Sequence, residues 1–157
     1  MTHDVHLSHS RTFPADVERA FDDVMPVDLS QLFDRRYLAV PPVRAVRDQG
    51  GPWGTVGQTR TIALADCGTM RETLTEVSRP TRFAYRISDV TGPMKPLIRS
   101  LDGAWDFEPA GTGVRITWSW ILQPAGRLGS AAMPAFGRMW QGYARQGFEN
   151  IERLVVR

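Results

Sequence analysis

The chain has 157 residues, 42% hydrophobic and 23% charged, a composition that allows a sizeable core without disulfide or metal staples and excludes disordered or fibrous classes. Its 19 basic and 17 acidic residues leave a net charge of +2 and are interspersed, so no basic tract follows a phosphate backbone and nucleic acid is not an expected partner. The single cysteine, Cys67, rules out an intrachain disulfide and any multi-cysteine metal site.

No stretch approaches the roughly 20 apolar residues of a membrane span. The segment Met1 to His6 lacks the charged-then-apolar layout of a secretion signal. A cytoplasmic location is therefore expected, and one free cysteine fits a reducing compartment. With no repeat, low-complexity tract or long linker, residues 1–157 are expected to form one domain. The 14 glycines and 11 prolines point to turn-rich β structure.

In chain order, Val5 to Phe13 alternates loosely and reads as a strand stopped by Pro14, which suits the first position of a helix. Val17, Ala20, Phe21 and Val24 then recur at helical spacing. A second short helix around Leu29, Leu32 and Phe33 follows Asp28 as its cap. From Val43 the period becomes two, with turns at 50–52, 66–68, 79–80 and 109–113. Strands are expected near 43–48, 57–65, 69–78, 81–90, 100–108 and 113–122.

Directly opposed residues on antiparallel strands share a constant sum of positions and point to the same face. Closing one hairpin through Asp66 and Gly68 gives a sum near 134. It opposes Ile62 to Glu72, Leu64 to Met70 and Arg60 to Leu74. The next turn, near 159, continues that face through Phe83, Tyr85 and Ile87. A last hairpin near 221 opposes Phe107 to Val114 and Trp105 to Ile116, with Trp118, Trp120 and Leu122 following. The opposite face reads Arg71, Thr73, Thr75, Arg86, Ser88, Arg115, Thr117 and Ser119, as a solvated face should.

Phe136, Met139, Trp140, Tyr143, Ile151 and Leu154 repeat at three- and four-residue spacing and predict a long C-terminal helix with Pro134 in its first turn. Its apolar stripe needs the aromatic face of the sheet as partner. Gly142 and Gly147 each cost such a helix about 1 kcal/mol relative to alanine, so the missing side chains serve either close packing or room for a ligand.

This order of elements resembles the helix-grip fold of the START-like, or SRPBCC, superfamily that includes Bet v 1-like proteins, in its polyketide cyclase/dehydrase and lipid-transport branch. The motifs are Phe13-Pro14-Ala15-Asp16-Val17-Glu18-Arg19-Ala20-Phe21, Trp53 with Val56-Gly57-Gln58-Thr59-Arg60, Glu72-Thr73-Leu74-Thr75-Glu76, Pro80-Thr81-Arg82-Phe83-Ala84-Tyr85 and Gly111-Thr112-Gly113-Val114-Arg115-Ile116-Thr117-Trp118. The resemblance implies an α+β fold in which a curved antiparallel sheet of six to seven strands wraps a long C-terminal helix, with two short helices after the first strand. It also implies a deep pocket for lipids, polyketides or sterols, with or without catalysis. Function drawn from fold alone is analogy.

The aromatic residues Trp53, Tyr85, Trp105, Phe107, Trp118, Trp120, Trp140 and Tyr143 carry polar tips on five indoles and two phenols beside one plain ring. A cluster of this kind suits an orienting pocket as well as a core. All of these but Trp53, together with Phe136 and Met139, are the candidate ligand contacts. Arg60 and Glu72 fall on the same apolar face, where charges must be paired or hydrated. They read either as one ion pair at the sheet rim or, with Tyr85, as groups that orient a ligand carbonyl or hydroxyl. Glu72 and Tyr85 are the candidate proton-transfer residues.

His3, His6 and His9 do not share one strand face, so no metal site is expected. No phosphate loop or nucleophile elbow appears, and no cofactor is expected. The apolar loop 91–98 is either a lid or a packed edge loop. Three functions stay open: a binding or transport protein for a small hydrophobic ligand, a polyketide cyclase, aromatase or dehydratase in the same pocket, and a regulatory partner protein whose cavity its own side chains fill. The oligomeric state is not fixed by the sequence, a homodimer included.

Overall fold

The structure, a computed structural model, describes residues 3–157. Seven strands form one antiparallel sheet in the order β1-β7-β6-β5-β4-β3-β2. They are β1 (Val5–Phe13), β2 (Val43–Arg47), β3 (Thr59–Leu64), β4 (Thr69–Ser78), β5 (Arg82–Ser88), β6 (Ile98–Ala110) and β7 (Gly113–Pro124). β2 to β7 form a meander. β1 returns beside β7, which leaves β1 and β2 as the two edges. The helices are α1 (Val17–Val24), α2 (Leu29–Leu32) and α3 (Gly126–Val155). A curved sheet around a long closing helix, with two short helices after the first strand, is the helix-grip architecture.

Helix starts follow local chemistry. The Asp16 carboxylate accepts from the Arg19 N–H and the Asp28 carboxylate from the Ser30 N–H, each satisfying a donor that the first turn leaves open. Asp16, rather than Pro14, therefore begins α1. α3 starts eight residues before Pro134, which lies in the third turn. Gly129 lets this early part of α3 press onto the Leu97 carbonyl, where a Cβ would collide.

Two hairpin registers differ from the sequence expectation by two positions. β3 and β4 oppose Arg60 to Glu72 and Ile62 to Met70. β6 and β7 oppose Trp105 to Trp118 and Phe107 to Ile116. A shift of two preserves the face, so every inward assignment in these hairpins survives. In β4 a bulge between Leu74 and Glu76 changes the phase: Leu74 opposes Tyr85, but Val77 opposes Phe83, which keeps apolar side chains inward on both sides of it.

The inward face is divided. At one end Phe21 of α1 meets Phe83 and Phe107 edge-on at 5.8 and 5.2 Å, and Phe148 of α3 stacks on Trp105 at 5.9 Å. Burying each such ring is worth about 1.5–3 kcal/mol. At the other end the layers part around a cavity.

Gly142 and Gly147 of α3 serve close packing. A Cβ at Gly147 would stand 2.7 Å from the Phe33 ring, and one at Gly142 would collide with the Tyr37 ring. Their partner is the segment between α2 and β2, not the sheet. Cys67 is an exposed turn residue at φ 71°. The loop after β5 contains a short 3-10 turn at Gly92–Met94 whose Met94 side chain is buried.

Candidate ligand-binding site

The cavity lies between the concave sheet face, α3, and the segment from α1 to β2. Its empty space is about 800 Å³ with the open mouth included, and the lining side chains leave about 80 Å³ of it as free cavity. This tight space is the slot.

One wall carries Ile62, Leu64, Met70 and Ile87 together with Arg60, Glu72 and Tyr85. A second is aromatic: Trp105, Trp118, Trp120, Phe136 and Tyr143. The third side comes from the end of α1, the start of β2 and the connections, with Val24, Met25, Phe33, Val40, Val43 and Met94 among its residues.

The sequence-predicted ligand contacts Arg60, Glu72, Tyr85, Trp105, Trp118, Trp120, Phe136 and Tyr143 thus line one space. Phe107, Met139 and Trp140 do not. Phe107 is taken up by Phe21 and Phe83. Met139 is partly buried against the core. Trp140 lies behind the lining, its ring 4.7 Å from Trp118 and 5.6 Å from Trp120. Trp53 also stands outside the lining, but the Arg60 guanidinium rests 4.0 Å above its ring.

Arg60 and Glu72 are opposed across β3 and β4. Arg60 Nε donates to Glu72 Oε1 at 2.7 Å, with the side chains 4% and 3% exposed. Arg60 Nη1 also donates to Gln49 Oε1 at 3.2 Å. Burial raises the Glu72 carboxyl above its ordinary value, and the Arg60 charge and hydrogen bond oppose that rise without cancelling it.

Tyr85 lies across Gly103, its directly opposed neighbour on β6. A Cβ at Gly103 would collide with the phenol ring, so the glycine is what lets the ring lie down toward β7. There its hydroxyl oxygen accepts from Trp118 Nε1 at 2.8 Å and Trp120 Nε1 at 2.9 Å. The indole N–H groups of Trp53 and Trp140, by contrast, are buried with no partner among the described residues. Burial, followed by the Glu72 charge, raises the Tyr85 hydroxyl far above its ordinary value, and at neutral pH it keeps its proton. Tyr143 donates to the Pro41 carbonyl at 3.0 Å and stacks on Phe33.

Phe33, Met94 and the 24–43 lining were not among the sequence-predicted contacts. The signal available for Phe33 was the side-chain-free Gly147 on α3. His9 approaches Gln141 and packs edge-on against Phe148. No cluster of three potential metal ligands occurs among the described residues, and no helix among them is long and apolar enough to cross a membrane.

The family described as "Polyketide cyclase / dehydrase and lipid transport" matches residues 4–156. Among solved structures, major latex-like protein 151 from Panax ginseng superposes with a TM-score of 0.72 at 9% identity, covering 98% of this chain and 99% of that one. Ara h 8.0201 gives 0.64 at 14% identity over 95% and 98%. DynU16, a protein of the dynemicin biosynthetic locus, gives 0.64 at 16% identity, covering 96% of this chain and 47% of that one. These likenesses establish the fold. No curated protein matches the sequence. A family match over nearly the whole chain, on a helix-grip fold, makes this chain a member of the polyketide cyclase/dehydrase and lipid-transport family of the START-like superfamily.

Proposed function

We propose that the chain is a single-domain binding or carrier protein for one small hydrophobic ligand, lipid-like or polyketide-like, held in the slot between sheet and α3. The observation that carries this reading is the lining itself: aromatic and aliphatic side chains on all sides, with Arg60, Glu72 and Tyr85 gathered on one wall. Affinity would come from apolar burial and orientation from that wall, the usual division of labour in a ligand pocket.

Native mass spectrometry beside the denatured extract is the test. A co-purified apolar molecule is the expected result. Empty protein that gains no thermal stability from fatty acids, sterols or aromatic polyketides overturns the reading in favour of a self-filled, partner-binding protein.

One observation favours a second reading, a cyclase or dehydratase. Glu72 is a buried carboxyl facing the cavity whose pKa burial raises above the ordinary carboxylate range, which makes it a readier proton donor than an exposed glutamate. Tyr85 fits the base role poorly, because it holds its proton and both indoles occupy its oxygen. Turnover that survives Glu72→Gln with its pH profile unchanged would sink that assignment.

A further inference from the structure

A phenol has one proton to donate and one oxygen with which to accept. At Tyr85 the accepting side is full. An indole N–H can only donate, so the bonds from Trp118 and Trp120, at 2.8 and 2.9 Å, both fall on the Tyr85 oxygen. Its proton must then point elsewhere, and no acceptor among the described residues is bonded to it. Tyr85 lines the cavity, so the spare O–H serves that space.

The arrangement is held from three sides. Gly103 permits the ring position. Trp118 is fixed by stacking on Trp105 at 5.3 Å and by a tilted contact with Phe33 at 4.8 Å. Trp120 is braced by Trp140 and Phe136. A hydroxyl that accepts two hydrogen bonds is polarised into a stronger donor, because chained hydrogen bonds reinforce one another.

We propose that Tyr85, aimed by Trp118 and Trp120, selects ligands that present a proton-free acceptor oxygen, a ketone-type carbonyl, on a flat apolar ring skeleton. The inference rests on the carrier reading above and narrows its ligand class. A hydrocarbon of the same shape would bury the O–H without a partner, which costs free energy. A ligand hydroxyl can accept from the Tyr85 O–H, but its own proton finds no lone pair on that oxygen and is buried without a partner there. A carboxylate would bring a second negative charge into the apolar slot beside Glu72. The flat ring skeleton follows from the aromatic wall, where Trp105 stacks on Trp118 and Phe33 on Tyr143.

The test uses the full chain with 1-indanone, indane and 1-indanol, read by calorimetry and by the infrared carbonyl stretch of the bound ketone. 1-Indanone is expected to bind about fivefold more tightly than indane, the worth of one ordinary hydrogen bond. Its carbonyl stretch should lie below the value in cyclohexane. Trp120→Phe frees one lone pair of the Tyr85 oxygen. In that variant the Tyr85 O–H loses one of its two reinforcing partners, so the indanone-to-indane ratio should fall, while the indanol-to-indane ratio rises.

Equal affinity for indanone and indane, with an unshifted carbonyl, overturns the inference and leaves the cavity reading standing. Unchanged ratios in Trp120→Phe overturn the aiming role of the indoles. Failure of all three probes to bind up to their solubility removes the carrier reading for ring ligands, and this inference with it.

Discussion

Of the arginine–carboxylate pairs directly opposed across neighbouring strands, three are joined by hydrogen bonds: Arg60 with Glu72, Arg82 with Asp106, and Arg86 with Asp102. The first lies on the concave face and is 4% and 3% exposed. The other two lie on the convex face, with exposures between 39% and 49%. One covalent chemistry and one strand geometry thus meet two dielectrics. Outside, attraction is screened and desolvation slight. Inside, each ion loses its water, and an apolar pair of equal volume would often stabilise the fold as well or better. Stability alone does not account for the inner pair, whereas the proposed orienting wall does.

The sharpest way to break this contrast is to remove one partner. Arg60→Met strands the Glu72 carboxylate in an apolar slot and is expected to cost about 3–5 kcal/mol at neutral pH by urea denaturation. The double variant Arg60→Met/Glu72→Met should recover most of that loss. Because an unpaired carboxyl can escape its penalty by protonation, the Arg60→Met deficit should shrink toward pH 5. A deficit below about 1 kcal/mol would mean that the inner pair behaves like a surface pair.

Next in size is Gly103→Ala. The added Cβ drives into the Tyr85 ring, and overpacking of this kind costs about 1–3 kcal/mol. Displacing the ring also breaks its bonds to Trp118 and Trp120, so quenching or emission of these indoles should change in step with lost stability. At Gly54 an added Cβ would meet open space, and a Gly103→Ala as silent as Gly54→Ala would show that the phenol is loosely held.

The pH dependence separates the two environments by sign. Burial raises the folded-state pKa of Glu72 above the ordinary 4.5, so the folded protein binds the proton more readily than the unfolded chain. Its contribution therefore rises as pH falls through the folded pKa toward about 4.5, and levels off below, with a slope of at most about 1.4 kcal/mol per pH unit. Exposed Asp22 is lowered from 3.8, chiefly by its hydrogen bond from Arg79. Its contribution is present above that ordinary value and is lost as pH falls through the folded pKa. Glu72→Gln should flatten the acid-side rise and leave the loss at lower pH. A rise that persists in Glu72→Gln belongs to another group.

The faces of these pairs were legible before their registers were. Alternation alone places Arg60, Glu72, Tyr85 and the tryptophans inward, since a side-chain period of two survives any even slip. The exact pairing was not legible, because it depends on turn geometry. Cys67 adopts a positive φ of 71° beside Gly68, and Gly111 and Thr112 make a two-residue turn between Ala110 and Gly113; each moved its hairpin by two.

The third side of the slot was hidden for another reason. Phe33, Val40 and Met94 arrive on connections, where no period constrains direction. The first eight residues of α3, Gly-Arg-Leu-Gly-Ser-Ala-Ala-Met, hold too few large apolar side chains to announce a helix. Only packing of Gly129 on Leu97 shows why the backbone continues there.

The smallest effect is the one that closes the contrast. Arg82 Nη1 reaches both Asp106 oxygens at 2.8 and 2.9 Å and Arg82 Nε reaches Glu76 at 3.1 Å, a geometry at least as complete as that of Arg60 with Glu72. If hydrogen-bond geometry set the energy, Asp106→Asn would rival Arg60→Met. Because solvent sets it, Asp106→Asn should cost less than about 1 kcal/mol and fade further in 1 M salt, where the screening length falls to about 3 Å. Arg82 keeps Glu76 as a partner in that variant, which lowers the cost again. A salt-insensitive loss of several kcal/mol would place the convex pairs in an environment as dry as the slot and erase the distinction between the two faces.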